Sequence, residues 1–296
     1  MTETSRRFKV VDIALLFGMI VPLVAGLVLK VLTALPAEGI QISGALVYFT
    51  IPMPLQDLPI TEAQVNSWLV ILSLFFLCLY FTHGLSIRPH TKRQVIAEWV
   101  VETCDKLVEQ NMGDYFKGYG AFIIAIMALS GLSSLLSLLG LFPPTSDVNI
   151  VGGWAIMVFM LITYYKLKCG PLYYLKGFTE PIALLLPLNI IGEVATPLSM
   201  AFRHYGNVLS GSVIAVLIAA ALEGLSSLVL GWLPGMLGEF PFLRIGIPAV
   251  LSMYFDIFSG CLQAFIFAML TMLNISGGFP QDEYEKRKLN KLSKNK

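Results

Sequence analysis

The sequence predicts an all-α membrane protein with about six membrane-embedded helices. Only 13% of the 296 residues are charged and 56% are hydrophobic, whereas soluble domains carry about 25% charged residues. Several stretches of about 18 or more residues are nearly free of charge, which is the length that a membrane-crossing helix needs. The strands of a membrane barrel would alternate in hydrophobicity over about 10 residues, and the sequence has no such alternation.

The chain divides into three regions. Residues 1–66 are expected to form an N-terminal anchor helix at 11–35 and then an acidic extracytoplasmic loop, which has four prolines and no lysine or arginine. The anchor is interpreted as uncleaved because its apolar run is long and has no small-residue cleavage site. Residues 67–277 are expected to form the core, and residues 278–296 a charged cytoplasmic tail.

The core begins with a span at 67–84 and continues with spans at 119–142 and 150–165. Residues 87–118 between them have the pattern of an amphipathic surface helix. The helical spacing predicts one acidic stripe and an opposite, largely apolar side. The stripe contains Glu98, Glu102, Asp105 and Glu109, and the other side contains Ile96, Trp99, Val100, Thr103, Cys104 and Leu107. A solvated face and a partner-docking face fit this stripe equally well.

Two later apolar stretches, 181–231 and 245–275, are too long for upright spans. Fifty helical residues extend about 75 Å, whereas the hydrocarbon core is about 30 Å thick. We therefore expect a long, strongly tilted helical hairpin, with Pro187 and Pro197 as candidate bends.

The distribution of basic residues predicts the topology. If the chain begins in the cytoplasm and crosses six times, all but three of the 20 lysines and arginines fall on the cytoplasmic side. The exceptions are Lys30, Arg203 and Arg244. This is a strong positive-inside pattern, and it places both termini in the cytoplasm.

Arg203 is the most unusual residue of the sequence, because it lies inside an apolar helix. A guanidinium in hydrocarbon costs about 3 to more than 10 kcal/mol, and it cannot escape this cost by losing its proton. Asn207 follows four residues later and shares its face. Glu193 precedes it on the same helix.

Further polar residues occur at helical spacing along the two long stretches. Ser212 and Glu223 share a face of the first helix, and Asp256 and Gln263 share a face of the second. In an antiparallel hairpin, Gln263 can lie level with Arg203, and Asp256 then lies near Ser212. A fixed cation between two polar regions can separate two half-paths of an ion, while it attracts a passing carboxylate from another subunit.

Two other interpretations of Arg203 remain open on the residues alone. It could pair with Glu193 or Asp256 and only stabilise the structure. It could also bind an anionic group in a self-contained secondary transporter, which predicts internal repeats that the sequence does not have. The three histidines lie in separate segments, so neither a metal site nor a cofactor is expected: His83, His90 and His204.

Four motifs resemble subunit a of the F-type ATP synthase, over roughly residues 60–277. They are F-R-H-Y-G-N at 202–207, L-Q-A-F-I-F-A-M-L-T-M at 262–272, P-T-S-D-V-N at 144–149 and P-L-N-I-I-G-E at 187–193. The resemblance implies a stator subunit without nucleotide binding or enzymatic activity of its own. It further implies two aqueous half-channels against a ring of c subunits, which the arginine matching Arg203 keeps separate, with Asn207 and Gln263 as its polar neighbours.

The resemblance also implies partners and a location. The c-subunit ring, the peripheral stalk b subunits, membrane lipid and a translocated H⁺ or Na⁺ are expected, with no nucleic acid, in a bacterial plasma membrane. Familiar members have glutamate or histidine at the position of Ser212, so that here the outer carboxylate is assigned to Asp256, together with Glu223. The run at 11–35 precedes the region of resemblance and is expected to be an added helix.

Overall fold

The computed structural model describes residues 3–33, 44–54, 56–87, 91–179, 182–230, 250–251, 253–281 and 284–287. Within these ranges, six helices are long and apolar enough to cross a membrane. The predicted all-α membrane fold is therefore confirmed. Several features of the sequence analysis lie outside the described residues: the predicted helix start at 245, Arg244, His90, residues 36–43 of the acidic loop and residues 288–296 of the tail.

The helices are α1 (Glu3–Thr33), α2 (Glu62–Thr82), α3 (Lys92–Met112), α4 (Gly120–Leu135), α5 (Val148–Lys168), α6 (Pro171–Gly177), α7 (Leu186–Leu230) and α8 (Gly260–Gly277). Short 3₁₀ turns at Asp114–Tyr119 and Leu136–Leu139 flank α4, and a π-helical segment at Tyr254–Ser259 leads directly into α8. The spans predicted at 119–142 and 150–165 thus correspond to α4 with its flanking turns and to α5.

The acidic loop contains a β-hairpin that the sequence analysis does not predict. Strands β1 (Val47–Ile51) and β2 (Leu58–Thr61) pair antiparallel. The chain then enters α2 directly, so that this helix begins at Glu62 rather than at the predicted Ser67. The Thr61 side chain caps it by accepting a hydrogen bond from the backbone nitrogen of Gln64, a typical N-cap contact.

Helix α1 packs along α2 through small residues. A Cβ at Gly18 would lie 2.6 Å from the ring of Phe76, so the two helices approach closely at this point. At the next residue of α1, the backbone oxygen of Met19 accepts a hydrogen bond of 2.9 Å from the Ser73 hydroxyl of α2. Small residues that allow close approach are typical of helix contacts in membranes.

Ion pairs hold α1 at both ends. Near its start, the Asp12 carboxylate lies 2.7 Å from an Arg93 guanidinium nitrogen and 3.1 Å from the His83 ring. Near its end, the Lys30 ammonium lies 3.6 Å from the buried carboxylate of Glu62. These contacts connect α1 to the surface helix α3 at one end and to α2 at the other.

Helix α3 is shorter than predicted, and its apolar residues face two directions. It ends at Gly113, whose φ of +80° stops the helix. Val108 and Met112 are buried against the core, whereas Trp99 is 64% exposed and Ile96 is 51% exposed. The acidic stripe is exposed, as the helical spacing predicts. Only part of the apolar side therefore packs within the chain, and the rest, with Trp99 and Ile96, is exposed.

Helix α7 contains 45 residues. A helix of this length extends about 68 Å, which is about twice the hydrocarbon thickness, and it therefore has to tilt strongly. Pro187 lies in the first turn, where a missing backbone N–H costs little. The helix continues through Pro197, so neither proline ends it.

Helices α7 and α8 run antiparallel. Close to the start of α7, Met200 contacts Asn274, whose amide nitrogen lies 3.3 Å from the sulfur. Further along α7, a Cβ at Gly211 would lie 3.5 Å from Phe255. The predicted hairpin arrangement is thus present in the described part of both helices.

Candidate functional site

Arg203 lies on an exposed side of α7. It forms no hydrogen bond or ion pair with any residue that the structure describes. The neighbouring His204 points towards the packed side of the helix and is only 1% exposed. The guanidinium therefore faces out of the subunit without a counter-charge from the described part of the chain.

Glu193 does not neutralise Arg203. Its carboxylate lies 2.6 Å from the Lys166 ammonium, and its side chain is only 13% exposed. Both residues line a cavity of about 480 Å³ that also reaches Asn189 and Asn274. Burial and the Glu193 charge raise the pKa of Tyr174, which lines the same cavity. The pairing of Arg203 with Glu193 is excluded, and we call this space the Glu193 cavity.

Asp256 lies on the π-helical turn before α8. It is partly buried, and its carboxylate faces the hydroxyl of Ser137. With Asn207 and Gly211 of α7 it lines a narrow crevice of about 10 Å³, which is roughly the space of one water-sized probe. Turns of π-helix are frequent at functional sites. The crevice brings together two of the predicted residues, Asp256 and Asn207.

Ser212 and Glu223 are not among the residues that line this crevice. The Ser212 side chain is exposed, and its hydroxyl donates a hydrogen bond of 2.8 Å to the backbone oxygen of Leu209. Glu223 is partly buried further along α7. Asp256 thus lies at the predicted level of α7, beside Gly211, which directly precedes Ser212, and it shares the crevice with Asn207.

Gln263 is 6% exposed on α8. The next residue, Ala264, packs against α4, because its Cβ would lie 3.8 Å from a Cβ added at Gly131. The backbone of Gln263 lies beside the His204 ring. Gln263 is thus on the inward side of the hairpin, next to the residue that follows Arg203.

A column of hydroxyls along α4 and the 3₁₀ turn that follows it is the part of the site that sequence reasoning missed. Its members recur at spacings of three and four residues: Ser130, Ser133 and Ser134 on α4, which are buried, and Ser137 on the turn, which is partly buried. The Ser130 hydroxyl lies 3.3 Å from His204 Nε2, and the Ser134 hydroxyl lies 3.3 Å from that of Thr145. The S-x-x-S-S-x-x-S spacing inside an apolar helix is the sequence signal that could have revealed it.

A second cavity, of about 540 Å³, lies at the other end of α5 from the Glu193 cavity. Asp57 of the hairpin loop, Asp147 and Trp154 are among its lining residues. The Trp154 ring is 6.2 Å from the His204 ring, centroid to centroid. This space, the Asp147 cavity, therefore ends close to the buried side of α7.

Comparison with known proteins gives a consistent result. A family model described as ATP synthase A chain matches residues 64–276. ATP synthase subunit a of Bacillus pumilus is 34% identical over 208 residues, which cover 66% of this chain and 82% of the relative. That of Priestia megaterium is 32% identical over 238 residues, covering 75% and 94%. The sodium ion specific subunit a of Propionigenium modestum is 29% identical over 243 residues, covering 76% of each chain.

The matched region contains the polar residues of α7 and α8, together with the α4 column, and it begins after α1. It spans well over half of the chain, and the resemblance noted from the sequence motifs is confirmed. The protein therefore belongs to the ATP synthase A chain family, the ion-translocating, non-catalytic stator subunits of the membrane part of ATP synthase.

Proposed function

We propose that the chain forms two aqueous half-channels against a c-subunit ring and that Arg203 keeps them separate. The observation that carries this proposal is the exposed Arg203 side chain, which has no counter-charge within the described residues. A guanidinium in this position costs several kcal/mol in hydrocarbon, and a carboxylate passing on a neighbouring rotor offsets that cost.

The two cavities are the proposed half-channels. They lie towards opposite ends of α5, whose 21 residues extend about 32 Å. The Glu193 cavity includes Lys166, beside the basic turn that the charge distribution assigns to the cytoplasm. The Asp147 cavity lies at the opposite end, which we assign to the extracytoplasmic side, and we propose that the Asp256 crevice lies on the path from this cavity to the rotor.

Arg203 acts on the ring carboxylate through its charge. A positive charge within about 4–6 Å lowers the pKa of a carboxyl group by about 1–3 units. The ring carboxylate is therefore ionised as it passes Arg203, and it takes up an ion again from the next half-channel. Because the guanidinium repels cations, an ion cannot cross directly from one cavity to the other.

The remaining partners follow from the same arrangement. The exposed face of α3, with Trp99 and the acidic stripe, is proposed to lie beside the peripheral stalk b subunits at the membrane surface. The apolar outer surface contacts lipid in a bacterial plasma membrane, with both termini cytoplasmic. Nucleotide binding and catalysis belong to other subunits of the complex.

The substitution Arg203→Ala tests the proposal in the assembled ATP synthase. We expect it to abolish ATP synthesis driven by an ion gradient, because the half-channels lose the charge that separates them, while the complex still assembles. Lys286→Ala is the matched control, since Lys286 is an exposed basic residue of the tail, away from the faces proposed to contact the ring and the stalk.

Normal synthesis by Arg203→Ala, with its assembly confirmed, would rule the proposed role out. The purified chain without its ring should transport nothing in liposomes, whereas a self-contained carrier would move substrate alone.

A further inference from the structure

Helix α1 precedes the region matched by the family model, which begins at residue 64, and its second end meets the elements that surround the Asp147 cavity. On one side, this cavity is lined by the hairpin and the first turn of α2, with Asp57, Thr61 and Gln64. On the other side, it is lined by Asp147 and the start of α5. The contacts of α1 with these two sides suggest a role for the added helix.

A buried carboxylate joins the two sides of the cavity. Glu62 is 3% exposed, and its Oε1 accepts a hydrogen bond of 3.4 Å from the backbone nitrogen of Phe142. Asn66, one turn later on α2, donates a hydrogen bond of 2.9 Å to the backbone oxygen of the same residue. Phe142 precedes Asp147 by little more than the short 3₁₀ turn at Pro144–Ser146. These two hydrogen bonds therefore fix the segment that carries Asp147 against α2.

Lys30 of α1 provides the counter-charge of this carboxylate. Its ammonium lies 3.6 Å from Glu62 Oε1, and it also donates a hydrogen bond to the backbone oxygen of Gly140. Within the part of the chain that the structure describes, no other basic group pairs with Glu62. An ionised carboxylate that is buried without a partner is strongly unfavourable. One side chain thus connects α1 to α2 and to the segment after α4.

Two further contacts hold the end of α1 in this position. Gly26, one turn before Lys30, is buried, and a Cβ there would lie 3.5 Å from Leu141 and 3.7 Å from the side-chain oxygen of Asn66. On the hairpin, Tyr48 is hydrogen-bonded to the side chain of Thr33. Burial and the Glu62 charge raise the pKa of the Tyr48 hydroxyl. The end of α1 therefore contacts the hairpin, α2 and the segment before Asp147.

We propose that Lys30 is a positioning residue for ion entry from the extracytoplasmic side, a role that rests on the function proposed above. Lys30 neutralises Glu62 and binds Gly140, and it thereby keeps the two sides of the Asp147 cavity at a fixed separation. The side chain does not line the cavity itself, so the ion does not pass along it. Lys30 acts through Phe142 and the segment that leads to Asp147, and α1 becomes a part of the entry structure.

The substitution Lys30→Gln tests this role in the complete complex, reconstituted in liposomes. ATP synthesis is measured at one membrane potential while the extracytoplasmic ion concentration is varied, first as pH at fixed sodium and then as sodium at fixed pH. We expect the half-saturating concentration to rise at least about threefold, because a displacement of about 1 Å can cost up to about 10²-fold. The maximal rate should stay near the parental value. The half-saturating concentration on the cytoplasmic side, measured by ATP-driven pumping, should not change.

Lys9→Gln is the matched control, because it is the same substitution at the opposite end of α1, where Lys9 is exposed. It should leave both half-saturating concentrations unaltered. Lys30→Arg keeps the charge and the reach of the side chain and should behave like the parent. A parental extracytoplasmic value in assembled Lys30→Gln would overturn the positioning role. An equal rise on the two sides of the membrane, or a lower maximal rate with parental half-saturation, would do so too.

A double variant covers the case in which Lys30→Gln does not assemble because Glu62 is left buried without a counter-charge. Lys30→Gln combined with Glu62→Gln leaves no unpaired charge, and the amide oxygen at position 62 can still accept the hydrogen bond from Phe142. The side chain at position 30 is one atom shorter and loses its contact with Gly140. We expect the same rise on the extracytoplasmic side only, and a parental value in the assembled double variant would refute the role.

Arg203→Ala separates this inference from the proposed function. If Arg203→Ala synthesises ATP normally, the half-channel proposal fails. If Arg203→Ala is inactive while Lys30→Gln keeps the parental half-saturating concentrations, only the positioning role of Lys30 is wrong.

Discussion

At the scale of single residues, Arg203 and His204 point to two different sides of one helix. Consecutive residues of an α-helix point about 100° apart, so one side chain is exposed while the next is 1% exposed. A guanidinium cannot become neutral, whereas an imidazole can. The permanent charge therefore lies on the open side, and the group that can be neutral lies in the interior.

Asp256 is the residue whose titration we expect to limit ion entry. Asp256→Asn keeps the shape of the side chain and its contact with Ser137 but cannot take up or release a proton. We expect ion flow to fall at least about tenfold in both directions, since a positioned acid–base group typically contributes 10² or more. ATP-driven pumping and gradient-driven synthesis in membrane vesicles would measure both directions.

The matched control is Glu285→Gln, the same change of acid to amide at an exposed residue of the tail. It should leave both rates unaltered. Equal rates for Asp256→Asn and the parent across the pH range would remove Asp256 from the path.

At the scale of elements, the long apolar stretches were predictable because their length alone exceeds that of an upright span. The contact between Asp256 and Ser137 was not predictable in the same way. The π-helical turn at Tyr254–Ser259 inserts a residue relative to a regular helix. One additional residue rotates the helix that precedes it by about 100°, and regular helical spacing then no longer gives the neighbour of Asp256.

The β-hairpin and α3 show two features that hydrophobic periodicity does not predict. The strands at Val47–Ile51 and Leu58–Thr61 are short, and a proline-rich loop gives little alternation from which to predict them. In α3, periodicity identifies apolar positions but cannot say whether protein or lipid covers them. Trp99 and Val108 have the same apolar character in the sequence, yet only Val108 is buried.

The contact between α4 and α8 depends on a glycine. A Cβ at Gly260 would lie 2.8 Å from the Cβ of Ser134, so Gly260→Ala should force the helices apart and destabilise the fold by about 1–3 kcal/mol. The midpoint of thermal unfolding of the complex in detergent would report this loss.

Gly152→Ala on α5 is the control for that experiment, because nothing lies within 4 Å of an added Cβ there. Alanine in a helix is favoured over glycine by about 0.5–1 kcal/mol, so this variant should be as stable as the parent or slightly more stable. A Gly260→Ala complex of parental stability would contradict the close packing of α4 and α8.

At the scale of the whole molecule, six helices among the described residues are long and apolar enough to cross a membrane, and we propose that they return the chain to the side on which it begins. Helix α1 precedes the region shared with the family, and without it the chain would cross an odd number of times. Its ion pairs to Arg93 and Glu62 attach it to the shared part near both of its ends, so it belongs structurally to the same unit.

The central claim is that the Arg203 side of α7 faces a rotating ring. Ser210 lies seven residues from Arg203, on the same helical face, and it is exposed, whereas Ala201 is 2% exposed. The direct measurement is disulfide cross-linking of the assembled complex, after replacement of the four native cysteines, with a single cysteine at position 210 or 201 and another on the outer helix of the c subunit. We predict that Ser210→Cys cross-links to the ring and that Ala201→Cys does not; a cross-link from position 201 with none from position 210 would contradict the account.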